Sequence, residues 1–401
     1  MTVRTETRTK PWWRAALVLF GVGWGANQFS PLLGDYRVAA GLSNATVQGL
    51  FAVYAVGLVP GLLLGGPAAD TYGRRKLVLP AAFGSTVASI CLLLGPHSLA
   101  LLLIGRFLAG AATGVVLAAG TAWVKELSHP PYETPAHPST GARRAGLAIS
   151  AGFGAGPLIA AIIAQWAPQP LVVAYLPHLV LMAVGIVLAW PVDETSRAVR
   201  PTGPRFGAVR SHAFLRVVAP AAPWVFAAPT VAFAVLPGAV GGSVGHYATV
   251  YAGVSAGLTL GAGLLVQPLA RRMSGRHVRL VVMAGLGAVI VGLVVAALTV
   301  WLDDPVLALV AAVILGGGYG LCLVFGLTEV SRIAGDGQLA GLTAVFYALT
   351  YVGFTTPYIL ALLEHVAALP ILLIALAVLA TVTLAAVRID SARKPADPTH
   401  P

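Results

Sequence analysis

Gly66-Pro67-Ala68-Ala69-Asp70-Thr71-Tyr72-Gly73-Arg74-Arg75-Lys76 closes one long apolar run, about Leu50 to Gly65, and precedes another, about Leu77 to Gly95. An acid, a glycine turn and three cations make a short polar loop between two membrane-length runs. Cations beside apolar spans hold a loop on the cytoplasmic side of a bilayer. Topology does not require Asp70, which sits at the mouth of a helix.

Working outward, the composition is that of a membrane protein. Of 401 residues, 58% are hydrophobic and only 10% charged, against about 25% charged in soluble domains. The formal net charge is +11, but the basic residues fall in gaps between apolar runs rather than on one soluble face. That pattern argues for a lipid bilayer and against a nucleic-acid partner. Cys91 and Cys322 stand alone inside apolar runs, so neither a disulfide framework nor a metal site is indicated. There is no nucleotide-binding loop, so ATP-driven pumping is unsupported and no cofactor is expected.

The first apolar run opens at the aromatic pair Trp12-Trp13 and lasts to about Leu33, too long for a signal-peptide core. Further runs follow at 47–67, 77–95, 99–122, 144–166, 171–191, 216–238, 246–268, 278–301, 305–328, 340–362 and 366–387. Each of the twelve is long enough to cross about 30 Å of hydrocarbon at ~1.5 Å per residue. With the N-terminus inside, the inner segments and adjoining helix ends carry nearly all the Lys and Arg. Arg37 is the one basic residue in a predicted outer loop, and Arg106 the one within a span. Both termini are therefore expected in the cytoplasm of a multi-pass cell-membrane protein.

The Pro- and Arg-rich segment 192–215 splits the spans six and six. It gives an N-terminal bundle over 1–191, a cytoplasmic linker over 192–215, and a C-terminal bundle with a short tail over 216–401. The halves look alike. Val53-Tyr54-Ala55 leads to Pro67 and Gly73-Arg74, as Val250-Tyr251-Ala252 leads to Pro268 and Gly275-Arg276. Gly152-Phe153 precedes Pro157 in the fifth run, as Gly353-Phe354 precedes Pro357 in the eleventh. The fourth and tenth each end in an acid, Glu126 and Glu329. Three matches in register predict duplicated six-helix halves, a parallel-repeat transporter architecture.

These residues resemble the major facilitator superfamily over essentially the whole chain. The opening stretch is similar to its loop between helices 2 and 3 at Gly66, Asp70, Gly73, Arg74 and Arg75. Arg106-Phe107-Leu108-Ala109-Gly110 resembles the family's helix 4 element. Gly152-x-x-x-Gly156-Pro157 is similar to the helix 5 signature of drug–proton antiporters, but departs from it at Ala160 and Ala161. Trp190-Pro191-Val192-Asp193-Glu194-Thr195 resembles the Pro-Glu-Thr ending of helix 6. The resemblance implies an all-α integral membrane fold of twelve transmembrane helices as two six-helix pseudo-repeats. Its substrate cavity would lie between the halves, lined largely by helices 1, 4, 7 and 10.

An arginine at mid-membrane costs at least about 2.5 kcal/mol, which makes it a functional candidate by default. Arg106 lies about seven residues into its run, roughly 10 Å deep at helical rise. Asn27 and Gln28 lie at similar depth, so the three are expected to share a polar cluster. Bonding to helix carbonyls would also account for Arg106. His178 can titrate near neutral pH, or simply pack. Tyr319, within Gly316-Gly317-Gly318-Tyr319-Gly320, marks close approach of a ligand or of another helix. The prolines at 220, 223, 229 and 237 should kink the seventh helix.

On the inner face, Asp70 and Arg74 are four apart and pair if the helix continues through the loop. In family members with this pattern the counterpart of Glu126 comes close to Arg74. Such a pair, made in one conformation and broken in another, would gate alternating access. Glu329 with Arg332 is a weaker counterpart in the second half. The expected function is secondary transport, most directly proton-coupled efflux of a small amphipathic molecule by a monomer. Uptake or exchange of a neutral or anionic metabolite is the rival. No acid lies in mid-span, so His178, Asp35, Glu364 or the Asp70 gate would have to carry the proton. A membrane enzyme would need a nucleophile–base pair or metal set, and His129, His137 and Glu133 make a thin one.

Overall fold

The computed structural model describes residues 10–134, 137, 139–195, 207–335 and 338–392. The middle of the expected linker, 196–206, and the chain beyond 392 lie outside the described residues. The spans are α1 (Trp12–Asn27), α2 (Asn44–Tyr72), α3 (Arg74–Leu93), α4 (Leu99–Leu127), α5 (Thr140–Trp166) and α6 (Pro170–Ala189). Then follow α7 (Phe214–Ala239), α8 (Gly241–Gly275), α9 (His277–Leu302), α10 (Pro305–Ile333), α11 (Gly341–Leu363) and α12 (Leu369–Ile389). Among the described residues, the eleven from α2 to α12 are each long and apolar enough to cross a membrane.

The first span departs from the expected unbroken run to Leu33. Its α-helix ends at Asn27, followed by a tight turn at Ser30–Leu32 and a short helix at Leu33–Ala39. The cause is Pro31, which has no N–H for the Asn27 carbonyl. The Ser30 hydroxyl donates to that oxygen instead, at 2.9 Å. The seventh span is broken as its prolines require, with wide π-type turns at Phe214–Val218 and Val231–Val235. The expected loop 269–277 is helical apart from a kink at His277, φ −142°.

Chain direction sorts the helix ends into two faces. One carries the start of α1 and the α2–α3 junction and is called here the loop face. The other carries the segments after α1, α3, α5, α7, α9 and α11. Aliphatic and aromatic side chains such as Leu64, Phe83, Val180 and Leu265 stand exposed on the flanks, where hydrocarbon would cover them.

The two halves use the same contact twice. In α5, a Cβ on Gly152 would collide with the Phe20 carbonyl and press on the Trp24 N–H of α1. In α11, a Cβ on Gly353 would collide with the Pro223 carbonyl and the Ala227 N–H of α7. Small residues let backbones approach where lipid gives no hydrophobic drive to pack. Gly156 extends the α1–α5 contact, meeting the Trp24 carbonyl, and Pro157 is buried beside it. One buried cluster lies in the second half and another in the first, while a third joins both halves through Phe29, Phe51, Tyr54, Phe233, Tyr351 and Phe354.

Candidate functional site

At the loop face, α2 ends at Tyr72 and Gly73 takes φ +115° before α3 begins. The helix therefore does not continue through the loop, as the four-residue spacing had required. The pair forms all the same, across the glycine bend. Arg74 Nη1 reaches Asp70 Oδ1 at 2.7 Å, while Nε and Nη2 both reach Glu126 Oε1 at 3.2 Å. Glu126 arrives because α4 runs on to Leu127, five residues past its expected end.

Two further members escaped sequence reading. The Glu194 carboxylate accepts from the Arg74 N–H at 2.6 Å and the Lys76 N–H at 3.4 Å, capping the exposed start of α3. The Thr195 hydroxyl donates to Glu126 Oε2. The Pro-Glu-Thr ending was visible, but its position against Gly73, some 120 residues away, was not. Gly66 stands apart from these charges, facing Ala118 of α4. Glu329 and Arg332 pair at 2.6 Å within α10 and, among the described residues, bridge no second element. Glu133 is taken by Arg144 at 2.6 Å, with Lys10 at 3.8 Å. The Arg144 guanidinium holds that carboxyl below the usual carboxylate range. This pairing leaves little for a metal, and no metal-ligand cluster occurs among the described residues.

Deeper in, Arg106 is 1% exposed. Its Nε donates to the Leu50 carbonyl at 3.2 Å and its Nη1 to the Ala26 carbonyl at 3.3 Å. The guanidinium lies over the rings of Tyr54 (4.5 Å), Phe29 (4.8 Å) and Phe51 (5.5 Å). The expected cluster with Asn27 and Gln28 does not form, because those side chains leave α1 in other directions. Asn27 donates to the Phe153 carbonyl of α5 at 3.5 Å. Gln28 Nε2 donates to Ser89 Oγ at 2.9 Å.

His178 closes that second network. Its Nε2 lies 3.0 Å from the Gly21 carbonyl and its Nδ1 2.9 Å from Ser89 Oγ. A carbonyl only accepts, so Nε2 carries the hydrogen, and Nδ1 accepts from Ser89. Each partner is thereby satisfied with a neutral imidazole, which clasps α1, α3 and α6. Tyr319 stacks on Phe226 at 5.7 Å, and Phe226 on Tyr351 at 4.5 Å. Gly316 and Gly320 on the same helix meet the Thr259 and Gly263 carbonyls of α8, so these glycines serve helix packing.

The halves meet at the face opposite the loop. Thr249 donates to Asp35 at 3.1 Å, Asn44 to Glu364 at 3.2 Å, and Gln48 to the Ala234 carbonyl at 2.8 Å. Gln165 donates to the His246 carbonyl at 2.9 Å and accepts from the Val250 N–H at 3.2 Å. Every hydrogen bond shown between described residues of the two halves lies there. Burial raises the Asp35 carboxyl above the ordinary value, partly offset by the Thr249 hydroxyl. Ring contacts continue the seam inward, from Phe51–Phe233 at 6.1 Å to Tyr54–Tyr351 at 6.4 Å. The charge contacts at the loop face, among the described residues, join α2, α3, α4 and the end of the α6 segment, which belong to the first half.

Comparison with known proteins gives a consistent picture. The family profile described as Major Facilitator Superfamily matches residues 15–356. A "Probable actinorhodin transporter" of Streptomyces coelicolor is 30% identical over 174 residues, 41% of this chain and 28% of that protein. "Multidrug resistance protein MdtL" of Escherichia coli is 39% identical over 85 residues, 21% of this chain and 22% of that protein. Both alignments span well under a third of the relatives' own length. Among solved structures, the nucleoside transporter NupG superposes with TM-score 0.74 at 12% identity, covering 95% of this chain and 99% of that one. A POT family transporter in complex with 5-aminolevulinic acid gives 0.76 at 14%, covering 96% of each. Likeness at such low identity speaks for the fold alone.

Proposed function

The chain belongs to the major facilitator superfamily, and from that premise we propose that this multi-pass secondary transporter exports a small amphipathic molecule by alternating access, against inward proton flow. One observation carries the alternating-access reading. Among the described residues, hydrogen bonds between the halves gather at one face, while the contacts of Arg74 with Asp70 and Glu126 at the other lie inside the first half. A carrier closed on one side and parted on the other has this distribution of contacts. The loop face is cytoplasmic, because it bears most of the Lys and Arg. The described state is then closed to the outside, with residues 1–191 and 216–401 as the moving bundles.

In this reading Gly66, Asp70, Gly73, Arg74 and Glu126, with Glu194 and Thr195, form the inner gate. Glu329 and Arg332 contribute a lesser charge pair in the second half. Gly152, Gly156 and Pro157 hold α1 against α5. Asn27 and Tyr319 border the substrate path, while Gln28 and His178 brace α1 behind it. The export direction is supported by the name of one relative, the multidrug resistance protein of Escherichia coli. Proton coupling is supported by Asp35, a half-buried carboxylate in the outer joint whose affinity for a proton is raised by closure.

Proteoliposomes holding the purified protein and an imposed pH gradient test the proposal, with candidate amphipathic compounds as substrates and internal pH followed in parallel. Accumulation that follows the gradient, with matching proton movement, is expected. Flux indifferent to the gradient removes the proton. That result would favour exchange of a neutral or anionic metabolite, a reading also favoured by Arg106, whose hydrogen bonds among the described residues go to helix carbonyls.

A further inference from the structure

Arg106 is a cation inside the membrane-spanning bundle, and no carboxylate acts on it among the described residues. Against it lie instead the rings of Tyr54, Phe29 and Phe51. Of its five N–H donors, two are committed to helix carbonyls, and Nη2 has no hydrogen-bond partner among the described residues. The Nη1–Nη2 edge is the part of a guanidinium that takes a carboxylate through two parallel bonds. A buried charge without a counter-charge is costly unless something completes it.

The walls around this cation belong to the seam between the halves. Phe51 and Tyr54, which lie against the guanidinium, are backed across the seam by Phe233 (6.1 Å), Phe354 (5.9 and 5.6 Å) and Tyr351 (6.4 Å). One turn from Phe51, Gln48 spends its amide N–H on the Ala234 carbonyl of the other half, and its buried Oε1 has no partner among the described residues. Parting the halves at this face would strip the backing from Phe51 and Tyr54 and release Gln48 in the same motion. Arg106 would then face water on that side alone.

We propose that Arg106 is an anion site that opens only with the outer face, taking a carboxylate carried on a planar apolar body. The guanidinium edge receives the carboxylate, and Phe29, Phe51 and Tyr54 receive the apolar ring. Gln48 supplies a neutral hydrogen-bonding group at the rim. The inference rests on the alternating-access reading only in requiring that the outer face part.

The test uses full-length protein in detergent with Cys91→Ala and Cys322→Ala, and radiolabelled benzoate as probe. Asn44→Cys with Glu364→Cys replaces a direct side-chain contact across the outer joint and staples it shut on oxidation. Saturable benzoate binding is expected in the unstapled protein. It should fall about 10- to 100-fold on stapling, the scale of losing a charge-assisted pair, and return on reduction. Arg106→Gln should lose binding to a similar degree. Arg106→Lys keeps the charge without the fork, so it should bind weakly and controls for misfolding. Absent binding in the unstapled protein, equal binding in stapled and reduced protein, or undiminished binding by Arg106→Gln each overturns the proposal. Flux through the stapled protein, reconstituted in proteoliposomes, separates the two readings. Transport that survives stapling defeats alternating access, whereas blocked transport with unchanged Arg106→Gln binding defeats only the anion site.

Discussion

Replacing Gly73 with alanine should damage the α2–α3 junction twice over, and the two injuries can be separated. The backbone there has φ +115° and ψ 148°, a region open essentially to glycine alone, so a side chain adds about 1–3 kcal/mol of strain. The new Cβ would also collide with the Glu194 carboxylate, pushing it off the Arg74 N–H it accepts at 2.6 Å. Loss of a helix cap costs about 0.5–2 kcal/mol. Together the substitution should cost roughly 1.5–5 kcal/mol. Local opening relieves the strain, so amide exchange at residues 74–79 reads it out. At about 1.4 kcal/mol per tenfold, exchange should quicken by about tenfold to a few thousandfold.

Glu194→Ala should show the cap's share without the backbone strain at Gly73. Because the cap can be lost only once, Gly73→Ala with Glu194→Ala should cost about 0.5–2 kcal/mol less than the sum of the singles. Gly41→Ala is the control, since its φ of +62° has nothing within reach of a Cβ, leaving only about 1–2 kcal/mol of left-handed strain. A strictly additive cycle, or a Gly73→Ala effect no larger than the control, would refute the reasoning.

Asp70→Asn removes a charge-assisted contact worth about 1.5–3 kcal/mol, so flux in proteoliposomes should fall at least about tenfold while membrane abundance stays unchanged. Normal flux would reduce the loop to an anchor. Asp35 sets a pH dependence: its carboxyl is raised in the closed joint, so closure is unhindered at acid pH and penalised as pH climbs through the raised value. Distances between spin labels on Arg37→Cys and Tyr247→Cys should lengthen with rising pH, and Asp35→Asn should abolish that trend. Gly152→Val and Gly353→Val wedge equivalent contacts and should each cost about 1–3 kcal/mol; thermal unfolding in detergent that spares either one would count against the repeated packing.

What the sequence determined by itself is whatever depends on order along the chain. Run lengths near 20 apolar residues, set against Lys and Arg in the gaps, sufficed for the spans and the expected topology, because the bilayer imposes both one helix at a time. Gly152-Phe153 and Gly353-Phe354 predicted a repeat that appears as twin backbone contacts. The pairing of Asp70, Arg74 and Glu126 was legible too, though the bend at Gly73 was not. Only the tertiary structure could show that Glu194 caps α3, since the chain makes that contact across four helices. It also decided that Gln28 turns to Ser89 and His178 while Arg106 turns to the rings of Phe29, Phe51 and Tyr54. Similar depth in the membrane says nothing about azimuth, and neighbours on α1 point about 100° apart. Which face the halves close is likewise a property of contacts between distant helices, and there the structure alone speaks.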